Sequence, residues 1–552
     1  MTPPFDVFAD ARKASSVIVL RDLPAGGVEV LMLRRAEREG DMRSGVAVFP
    51  GGVLDARDRL AHPHVQGWDD AQASARLALP AGGLDYLVAA VRECFEEVGL
   101  LFADHAGSRT LPPEARQHWR GLMQRGEQPL AALCEAHGLG IDLRDWAYFS
   151  HWLTPPGQPR RFDTRFFVTR APEGQQAEAD YGEAVELMWL TPQQALEPER
   201  GLKLLPVTRE TLRRLGGFAT VEHALQHART QEEVPMIMPR RAESAAGLRV
   251  VLPHEMAYAE VARIDPTGRG GAHADIQPGR VVRLSPRVLR VTAPNPGVMT
   301  GPGTNTYLVG DPDTNRWTVI DPGPDDETHR QALRAAAPGP IERILVTHTH
   351  IDHSPGAGPL ARVTGAPVLG RRPLHPAGQD ASFAPSEELF GGELLVLGPT
   401  TTLRVLHTPG HASNHLCYLL PEERTLFTGD HVMQGSTVVI NPPDGDMAAY
   451  LRALEGLYAL DLEWLAPGHG FLVARPHDVV RALVRHRLGR EDKVVGALSA
   501  LGPAPVEGLV GRVYEDVPAT LHPVARRSLL AHLLKLEGEG RARCEDGRWS
   551  AA

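Results

Sequence analysis

Residues 347–356 read THTHIDHSPG and directly follow the apolar run IERILV. In an extended segment, the His-x-His spacing directs two imidazole rings to the same side of the chain. Asp352 and His353 come next, just beyond the end of the predicted strand. A histidine-rich surface turn would explain an isolated His-x-His. Four ligand-type side chains between positions 348 and 353 favour a metal site instead.

Three further candidate ligands stand where other predicted strands run into glycine-containing loops. They are His411 in TPGH, Asp430 in FTGD and His469 in APGHG. Strand ends at one edge of a sheet can bring such side chains together, and imidazole and carboxylate groups suit Zn²⁺. Seven candidates exceed the needs of one tetrahedral ion and fit two ions bridged by a carboxylate. Two adjacent metal ions activate water and clamp the attacking and leaving oxygens during hydrolysis.

In this order, the motifs THTHIDH, TPGH, FTGD and APGHG resemble the metallo-β-lactamase fold, an αβ/βα sandwich. The resemblance implies one zinc site of three histidines, a second of one aspartate and two histidines, and a bridging aspartate: His348, His350 and His411; Asp352, His353 and His469; and Asp430. It also gives Asp352 a catalytic role. Asp430 stands where many β-lactamases of this fold carry cysteine, so antibiotic hydrolysis is not expected. His407 and His415 are expected to support the ligands or the fold.

The C-terminal half narrows the resemblance. MTGPGTNTYLVG (299–310), QGSTVVI (434–440) and the tail resemble the β-lactamase-like protein 2 group of single-strand endoribonucleases, over about residues 285–552. Three helical stretches and a hairpin signal at Asp546-Gly547 predict a winged helix from 476. From His477 onward, 12 Lys+Arg stand against 10 Asp+Glu. This small excess permits RNA contact without requiring it. The resemblance to the endoribonuclease group favours single-stranded RNA over a thioester as substrate, while a packing or dimerisation role for the tail stays as open as RNA binding.

A second constellation lies near the N-terminus, in VFPGGVLDA (48–56) and VRECFEEVG (91–99). Glu93, Glu96 and Glu97 stand at i, i+3 and i+4, hence on one face of a helix. The EE pair alone would suit an amphipathic helix with an acidic outer side. With the PGG turn and Gly99, however, the pattern resembles the Nudix box. The resemblance implies a Nudix α/β/α sandwich in which these glutamates are catalytic and bind Mg²⁺ or Mn²⁺ for hydrolysis of a small-molecule diphosphate.

This box departs from the uninterrupted motif G-x5-E-x7-RE. About 26 residues are inserted between Gly52 and Arg92, and Leu84 stands where a glutamate is expected. The insertion resembles the Nudix-motif-19 type of coenzyme A diphosphatases over about residues 14–235, and LMLRRAEREGDMRSGVAVFPGG (31–52) partly matches the upstream signature of CoA-directed enzymes. Arg92 is expected to orient the glutamates. Three arginines of a predicted strand either bind substrate phosphates or are solvated surface charges: Arg160, Arg161 and Arg165.

The length of 552 residues exceeds what one core supports. The loop-like composition of 236–285 predicts a linker there. Together with the two resemblances it implies a Nudix domain at 1–235, a metallo-β-lactamase-fold domain at 286–475 and a winged-helix domain at 476–552. Four scattered cysteines, no apolar leader and no run of 18 apolar residues predict a cytoplasmic protein without a membrane partner. The net charge of −10 argues against bulk attraction to nucleic acid. A homo-oligomer is compatible with the sequence.

The sequence as a whole predicts a bifunctional metal-dependent hydrolase. One half would be a dizinc hydrolase acting on single-stranded RNA, and the other a Nudix diphosphatase of the nucleoside diphosphate-X or CoA type. One alternative is a zinc thioesterase joined to a CoA diphosphatase, both acting on acyl-CoA. Another is a non-catalytic Nudix module that binds a nucleotide and regulates the zinc hydrolase.

Overall fold

The computed structural model describes residues 6–36, 44–105, 111–179 and 184–552. The chain forms two compact units, Met1–Arg240 with Thr267–Arg269, and Arg241–Pro266 with Gly270–Ala552. Residues 37–43, part of the stretch compared above with CoA-directed enzymes, lie outside the described residues. Within the described ranges, no helix combines the length and the apolar character needed to cross a bilayer.

A mixed sheet forms the centre of the first unit. Its strands are β1 (Ala11–Asp22), β2 (Val28–Arg35), β3 (Val46–Val48), β4 (Gly51–Val53), β8 (Ala147–Leu153), β9 (Arg161–Arg170), β10 (Ala184–Leu190), β11 (Lys203–Leu204) and β12 (Met236–Ile237). A small second sheet contains β5 (Val65–Gln66), β6 (Ala103–His105) and β7 (Leu139–Asp142). The long strands β1 and β9 run parallel and are buried along most of their length.

Helices cover both faces of this central sheet. They are α1 (Asp70–Arg76), α2 (Gly83–Val98), α3 (Pro113–Gln124), α4 (Leu130–His137), α5 (Pro192–Leu196), α6 (Pro206–Leu215) and α7 (Val221–Thr230). One face packs on α2 through Leu87, Val91 and Phe95, which recur at fourfold spacing. The other face packs on α6 and α7. The predicted α/β/α sandwich is confirmed.

The second unit contains two facing sheets. One consists of β15 (Val281–Arg283), β16 (Val288–Thr292), β17 (Asn305–Asp311), β18 (Arg316–Ile320), β19 (Ile341–Leu345), β20 (Val368–Gly370) and β21 (Glu387–Glu388). The other consists of β22 (Leu394–Gly398), β23 (Thr401–His407), β24 (Leu416–Leu420), β25 (Thr425–Gly429), β26 (Trp464–Pro467) and β27 (Val473–Ala474). Tyr307 and Ile320 from the first sheet meet Tyr418 and Phe427 from the second in one core cluster.

Helices pack on the outer faces of the two sheets. Those of the second unit are α8 (Tyr258–Ile264), α9 (Glu327–Ala336), α10 (Ala357–Thr364), α11 (Met447–Gly456), α12 (Pro476–Leu501), α13 (Val506–Val513) and α14 (His522–Gly538). α9 and α10 share a core with the first sheet, and α11 and α12 share one with the second. The αβ/βα sandwich predicted from the histidine motifs is therefore confirmed.

The C-terminal segment forms a small domain of its own. α12, α13 and α14 enclose a core with the hairpin of β28 (Ala542–Glu545) and β29 (Arg548–Ala551). Asp546 and Gly547 both adopt positive φ in its two-residue turn, as the hairpin signal predicts. Three helices followed by this hairpin give the predicted winged-helix form.

Part of the stretch predicted as a linker is folded within the second unit. β13 (Arg240–Ser244) and β14 (Gly247–Val251) form a hairpin, and α8 follows. Glu260 of α8 makes a buried, two-pronged ion pair with Arg290 of β16, at 2.6 and 2.9 Å. Since a buried charge needs its partner, this pair joins α8 firmly to the sheet beside it.

Candidate functional site

All seven predicted ligands of the second unit follow strand ends and converge at one edge of the sandwich. They come after four strands: β19 for His348, His350, Asp352 and His353; β23 for His411; β25 for Asp430; and β26 for His469. These residues form three overlapping groups whose candidate ligand atoms lie within 4.8 Å of one another. We call the seven residues the histidine cluster.

Three imidazoles form one end of the histidine cluster. The Nδ1 atom of His350 lies 2.9 Å from Nε2 of His348 and 3.0 Å from Nε2 of His411. Burial lowers the pKa of all three histidines, to about 3 for His350. Neutral imidazoles with nitrogen lone pairs facing one point are the form that binds a metal ion.

Carboxylates and two further imidazoles form the other end. The Nε2 atom of His469 lies 3.3 Å from Asp352 and 3.4 Å from Asp430, and Nε2 of His353 lies 3.4 Å from each. Asp430 uses Oδ1 for these contacts and directs Oδ2 to His411 at 3.7 Å. Its two oxygens therefore face the two ends of the cluster, as a bridging ligand requires.

Several polar atoms of the histidine cluster fit a bound cation. His353 Nε2, His469 Nε2 and Asp430 Oδ1 are buried without a hydrogen-bond partner. Burial lowers the pKa of His469, but the facing carboxylates of Asp430 and Asp352 outweigh it and raise the pKa to about 9. The site thus favours positive charge between the carboxylates, and a metal ion can take the place of that proton.

Oxygen atoms behind the histidine cluster orient its imidazoles. The Nδ1 atom of His411 lies 2.8 Å from the carbonyl oxygen of Val439, and Nδ1 of His469 lies 3.2 Å from the carbonyl oxygen of Gly303. In His353, Nδ1 lies 2.9 Å from the carboxylate of Asp321. Such partners fix the tautomer that leaves Nε2 free to bind metal.

Asp321 was missed by the sequence reasoning. It is buried, and its carboxylate also accepts hydrogen bonds from the backbone N–H and hydroxyl of Thr347 at 2.7 Å each. The signal was present in WTVIDPG, where an acidic residue follows directly on a buried strand that pairs with β19.

The two additional histidines lie outside the three ligand groups. His407 contacts the Ser413 carbonyl at 3.0 Å. His415 accepts the backbone N–H of Asp430 at 3.2 Å and contacts Thr408 at 2.9 Å, so it holds the loop that carries a ligand. These contacts agree with the supporting roles expected from the sequence.

Gly468 explains the glycine before His469. A Cβ atom at this position would lie 2.7 Å from Asp430 Oδ1 and 2.8 Å from Cε1 of His353. The close packing of these two side chains therefore excludes any larger residue there.

The first unit brings the three predicted glutamates together with the PGG turn. Arg92 donates to Glu93 at 2.8 Å and to Glu96 at 3.3 Å, and Glu97 accepts the backbone N–H of Gly51 at 2.9 Å. A Cβ atom on Gly52 would lie within 2.3 Å of the Glu93 carboxylate. We call Glu93, Glu96 and Glu97 the glutamate site.

The structure corrects the apparent loss of the box glutamate at Leu84. Leu84 is buried in the apolar core, whereas Asp58 pairs with Arg92 at 2.6 Å. Asp58 stands six positions after Gly52, the separation at which the uninterrupted motif has its first glutamate. The sequence shows this acidic residue when the motif is aligned from Gly52 onward instead of backward from Arg92. The insertion then falls between Asp58 and Arg92.

A cavity of about 210 Å³ opens beside the glutamate site. Asp58, Arg92 and Glu96 line it together with Gln124 and Gln128. Burial raises the pKa of Glu96 to about 7, against the opposing effect of Arg92. A carboxyl group with this pKa, next to a polar cavity, suits proton transfer near neutral pH.

Two of the three arginines considered as phosphate ligands are committed to protein groups. Arg165 is buried and contacts Asp163 and His151. Arg161 donates to the carbonyl groups of Val7, Ala9 and Thr154. Neither side chain is available for a substrate phosphate in this conformation.

Comparisons with known families agree with the two folds and their order. Residues 60–206 match the NUDT19 Nudix domain, residues 299–469 the metallo-beta-lactamase superfamily, and residues 506–549 the beta-lactamase associated winged helix domain. A Beta-lactamase-like protein 2 homolog from Drosophila melanogaster is 31% identical over 291 residues, which cover 48% of this chain and 92% of that protein. The chain belongs to the metallo-beta-lactamase superfamily.

Other similar proteins carry more specific names. An "Atrochrysone carboxyl ACP thioesterase" from Aspergillus chevalieri is 32% identical over 269 residues, covering 47% of this chain and 83% of that protein. A NUDIX hydrolase structure from Alicyclobacillus acidocaldarius is 27% identical and covers 40% of this chain and 98% of its own, with a TM-score of 0.35. This metallo-beta-lactamase superfamily member is a hydrolase that carries a Nudix domain before the sandwich and a winged helix after it. Both hydrolase families depend on metal ions.

Proposed function

We propose that this superfamily member hydrolyses acyl thioesters of a phosphopantetheine carrier, such as acyl-CoA, at the histidine cluster. His348, His350 and His411 would hold one zinc ion, Asp352, His353 and His469 a second, and Asp430 would bridge them. The orphaned, buried atoms of His353, His469 and Asp430 support this assignment. Nitrogen and carboxylate donors in this mixture suit zinc better than magnesium.

The observation that carries the substrate class is a set of four exposed aliphatic side chains on loops that carry or adjoin residues of the histidine cluster. Val298 and Met299 lie on the loop between β16 and β17, and the carbonyl of Gly303 in the same loop contacts His469. Ile351 stands between two predicted ligands. Leu374 donates its backbone N–H to Ser413, two residues from His411.

These four side chains are 56% to 94% exposed to solvent. Exposed apolar groups gathered around a site mark a binding surface more often than isolated ones do. An acyl chain would cover these apolar side chains.

The charge of the winged-helix domain argues in the same direction. Eight of its twelve basic side chains form ion pairs with acidic side chains of the same domain: Arg481, Arg490, Lys493, Arg512, Arg526, Lys535, Arg541 and Arg543. RNA binding depends on basic groups that neutralise phosphates. We therefore place acyl thioesters first and keep single-stranded RNA, which the sequence favours, as the second candidate.

The residues of the histidine cluster divide the work of hydrolysis. When bound, metal ions supply Lewis acidity and lower the pKa of water. Water adds through its oxygen to the thioester carbonyl carbon, the C–S bond breaks, and the products are a carboxylic acid and a thiol. The side chain of Asp352 is 22% exposed, against 11% for Asp430. The Asp352 carboxylate is therefore the better placed of the two to accept the proton of the attacking water.

For the first unit we propose a Nudix diphosphatase that acts on the coenzyme A part of the same metabolite. Glu93, Glu96 and Glu97 would hold Mg²⁺ or Mn²⁺, since carboxylate oxygens suit hard cations. Water attacks phosphorus and the P–O–P linkage breaks, with Glu96 as the proton acceptor. Arg92 orients Glu93 and Glu96 from its anchor on Asp58.

The test compares purified wild-type protein with Asp352→Ala on three substrates. Acyl-CoA is followed by release of free thiol, labelled single-stranded RNA by fragment length, and CoA by release of phosphopantetheine. Thiol release that disappears in Asp352→Ala, with RNA intact, is expected. RNA cleavage that disappears in the variant, with acyl-CoA intact, would replace the thioesterase assignment with the nuclease.

The regulatory alternative for the Nudix domain is tested separately. Glu96→Gln and Glu97→Gln should abolish the release of phosphopantetheine while leaving thiol release unchanged. If wild-type protein bound nucleotide without hydrolysing any diphosphate, the domain would be a binding module. In that case Glu96→Gln and Glu97→Gln would change thiol release only if they changed the binding of the nucleotide.

A further inference from the structure

The segment 438–440 has no regular secondary structure, yet it orients a residue of the histidine cluster. The Val439 carbonyl lies 2.8 Å from Nδ1 of His411. This hydrogen bond keeps the proton of a neutral imidazole on Nδ1 and leaves the lone pair of Nε2 directed into the cluster. The position of one carbonyl group therefore sets the orientation and tautomer of His411.

The peptide group that contains this carbonyl and the peptide group before it are both held by helices of the C-terminal domain. Arg487 of α12 donates to the carbonyl of Val438. Ser528 of α14 accepts the backbone N–H of Ile440 at 3.3 Å. The two hydrogen bonds clamp the segment on either side of Val439.

Apolar packing supports the same connection. Val438 and Ile440 are buried in a cluster that includes Val480 and Val484 of α12 and Ala531 of α14. The segment is thus covered by the C-terminal helices through both side chains and backbone.

Arg487 also reaches the other loops of the site through Tyr450 of α11. Its guanidinium lies 5.5 Å from the centre of the Tyr450 ring. The Tyr450 hydroxyl donates to the carbonyl of His431, next to Asp430, at 2.9 Å. A Cβ atom on Gly410 would lie 2.4 Å from Cα of Tyr450, so the His411 loop rests directly on this residue.

We propose that the winged-helix domain is a positioning element of the metal centre rather than a separate binding module. Arg487 and Ser528 fix the segment 438–440, and its Val439 carbonyl fixes His411. This inference rests on the metal role proposed for His411. It explains why a cation is buried at Arg487, where burial of an unpaired charge would be costly.

The test measures the metal affinity of full-length variants by competition with a chelator. Arg487→Met removes the guanidinium at similar length and should weaken the affinity for zinc about 10- to 100-fold, the usual effect of losing a group behind a metal ligand. Ser528→Ala removes one hydrogen bond and should weaken it about fivefold. Arg485→Met and Ser499→Ala, exposed positions of the same α12 helix, serve as matched controls and should bind as wild type does.

A double substitution isolates the route through His411. In a His411→Ala background, Arg487→Met should cause no further loss, because the ligand it positions is absent. If Arg487→Met lowered the metal affinity in this background as much as it does in the wild-type chain, Arg487 would act on general stability, and the inference would be wrong. Arg487→Lys keeps a donor for the Val438 carbonyl and should recover part of the affinity.

The outcomes separate this inference from the proposed function. If the wild-type chain bound no zinc or similar metal, the proposed function would fail. If the wild-type chain bound metal and both Arg487→Met and Ser528→Ala bound it equally well, only the positioning inference would fail. Should Arg487→Met not fold, the milder Ser528→Ala decides in the same way.

Discussion

The glutamate site and the histidine cluster gather their donors in opposite ways. Glu93, Glu96 and Glu97 come from little more than one turn of α2, whereas the histidine cluster draws on four strand ends between positions 348 and 469. In the glutamate site, Arg92 already neutralises two carboxylates, so a metal ion competes with a guanidinium. In the histidine cluster, buried nitrogen and oxygen atoms of His353, His469 and Asp430 have no hydrogen-bond partner. A local site is assembled by helix geometry, while a dispersed site depends on the whole sandwich.

The largest effect is expected from the bridging position of the histidine cluster. Asp430→Asn keeps the shape of the side chain but removes the charge that faces both ends. Thiol release should fall about 10³-fold, since metal ions supply several kcal/mol of transition-state stabilisation. Bound zinc, measured by elemental analysis, should fall as well. Asp461→Asn, at an exposed aspartate paired with Arg424, is the control. Unchanged zinc content in Asp430→Asn would remove the bridge from the proposal.

The next effect probes the independence of the glutamate site. Glu96→Gln should slow the release of phosphopantetheine at least about 100-fold, because a positioned base contributes about 10²- to 10⁴-fold. Glu127→Gln, at an exposed glutamate paired with Arg125, should have no effect. Thiol release should not change in either variant. A parallel loss of thiol release would show that the two sites are coupled.

A third prediction concerns the anchor of Arg92. The side chain of Asp58 is 1% exposed, and that of Arg92 is 12% exposed. Asp58→Asn should lower the free energy of unfolding by about 3 kcal/mol, because it leaves a largely buried cation without its main partner. Asp58→Glu restores the usual box residue and should keep the pair, while Leu84→Glu buries a charge in the core and should not help. Urea unfolding of the full chain measures the three variants. Asp58→Asn as stable as wild type would contradict the assignment of Asp58 to the box.

Most of the fold could be predicted from the sequence because each half carries local signals for where strands and helices begin and end. Apolar strands that end in glycine and ligand residues predict the sandwich edge, and the fourfold spacing of Leu87, Val91 and Phe95 predicts α2. The helix α8 was less readable, since the Pro- and Gly-rich residues around it suggest a tether. Its attachment depends on Glu260 meeting Arg290, a contact between residues 30 positions apart.

The candidate site was predictable in its ligands and less so in its supports. The ligands share residue types and strand-end positions, which a sequence displays. Asp58 was missed because an insertion separates it from Arg92, so only the folded chain brings the pair together. The Val439 carbonyl carries no side-chain signal at all. Its role depends on the backbone path that α12 and α14 impose.

The last prediction concerns the pH dependence of stability in metal-free protein, where the effect of Glu96 develops gradually with pH. Burial raises the pKa of Glu96 from 4.5 to about 7, so the folded state binds this proton more tightly than the unfolded state does. The stability from Glu96 is therefore fully present below about pH 4.5 and is lost as the pH rises through about 7, by up to about 3 kcal/mol. His350 and His469 are present in both wild type and Glu96→Gln, so their contributions to the pH dependence cancel in the difference between the two proteins. Urea unfolding of chelator-treated wild type and Glu96→Gln should therefore give a difference in stability that changes between pH 4.5 and 7. A difference that stayed constant over this range would show that Glu96 has an ordinary pKa.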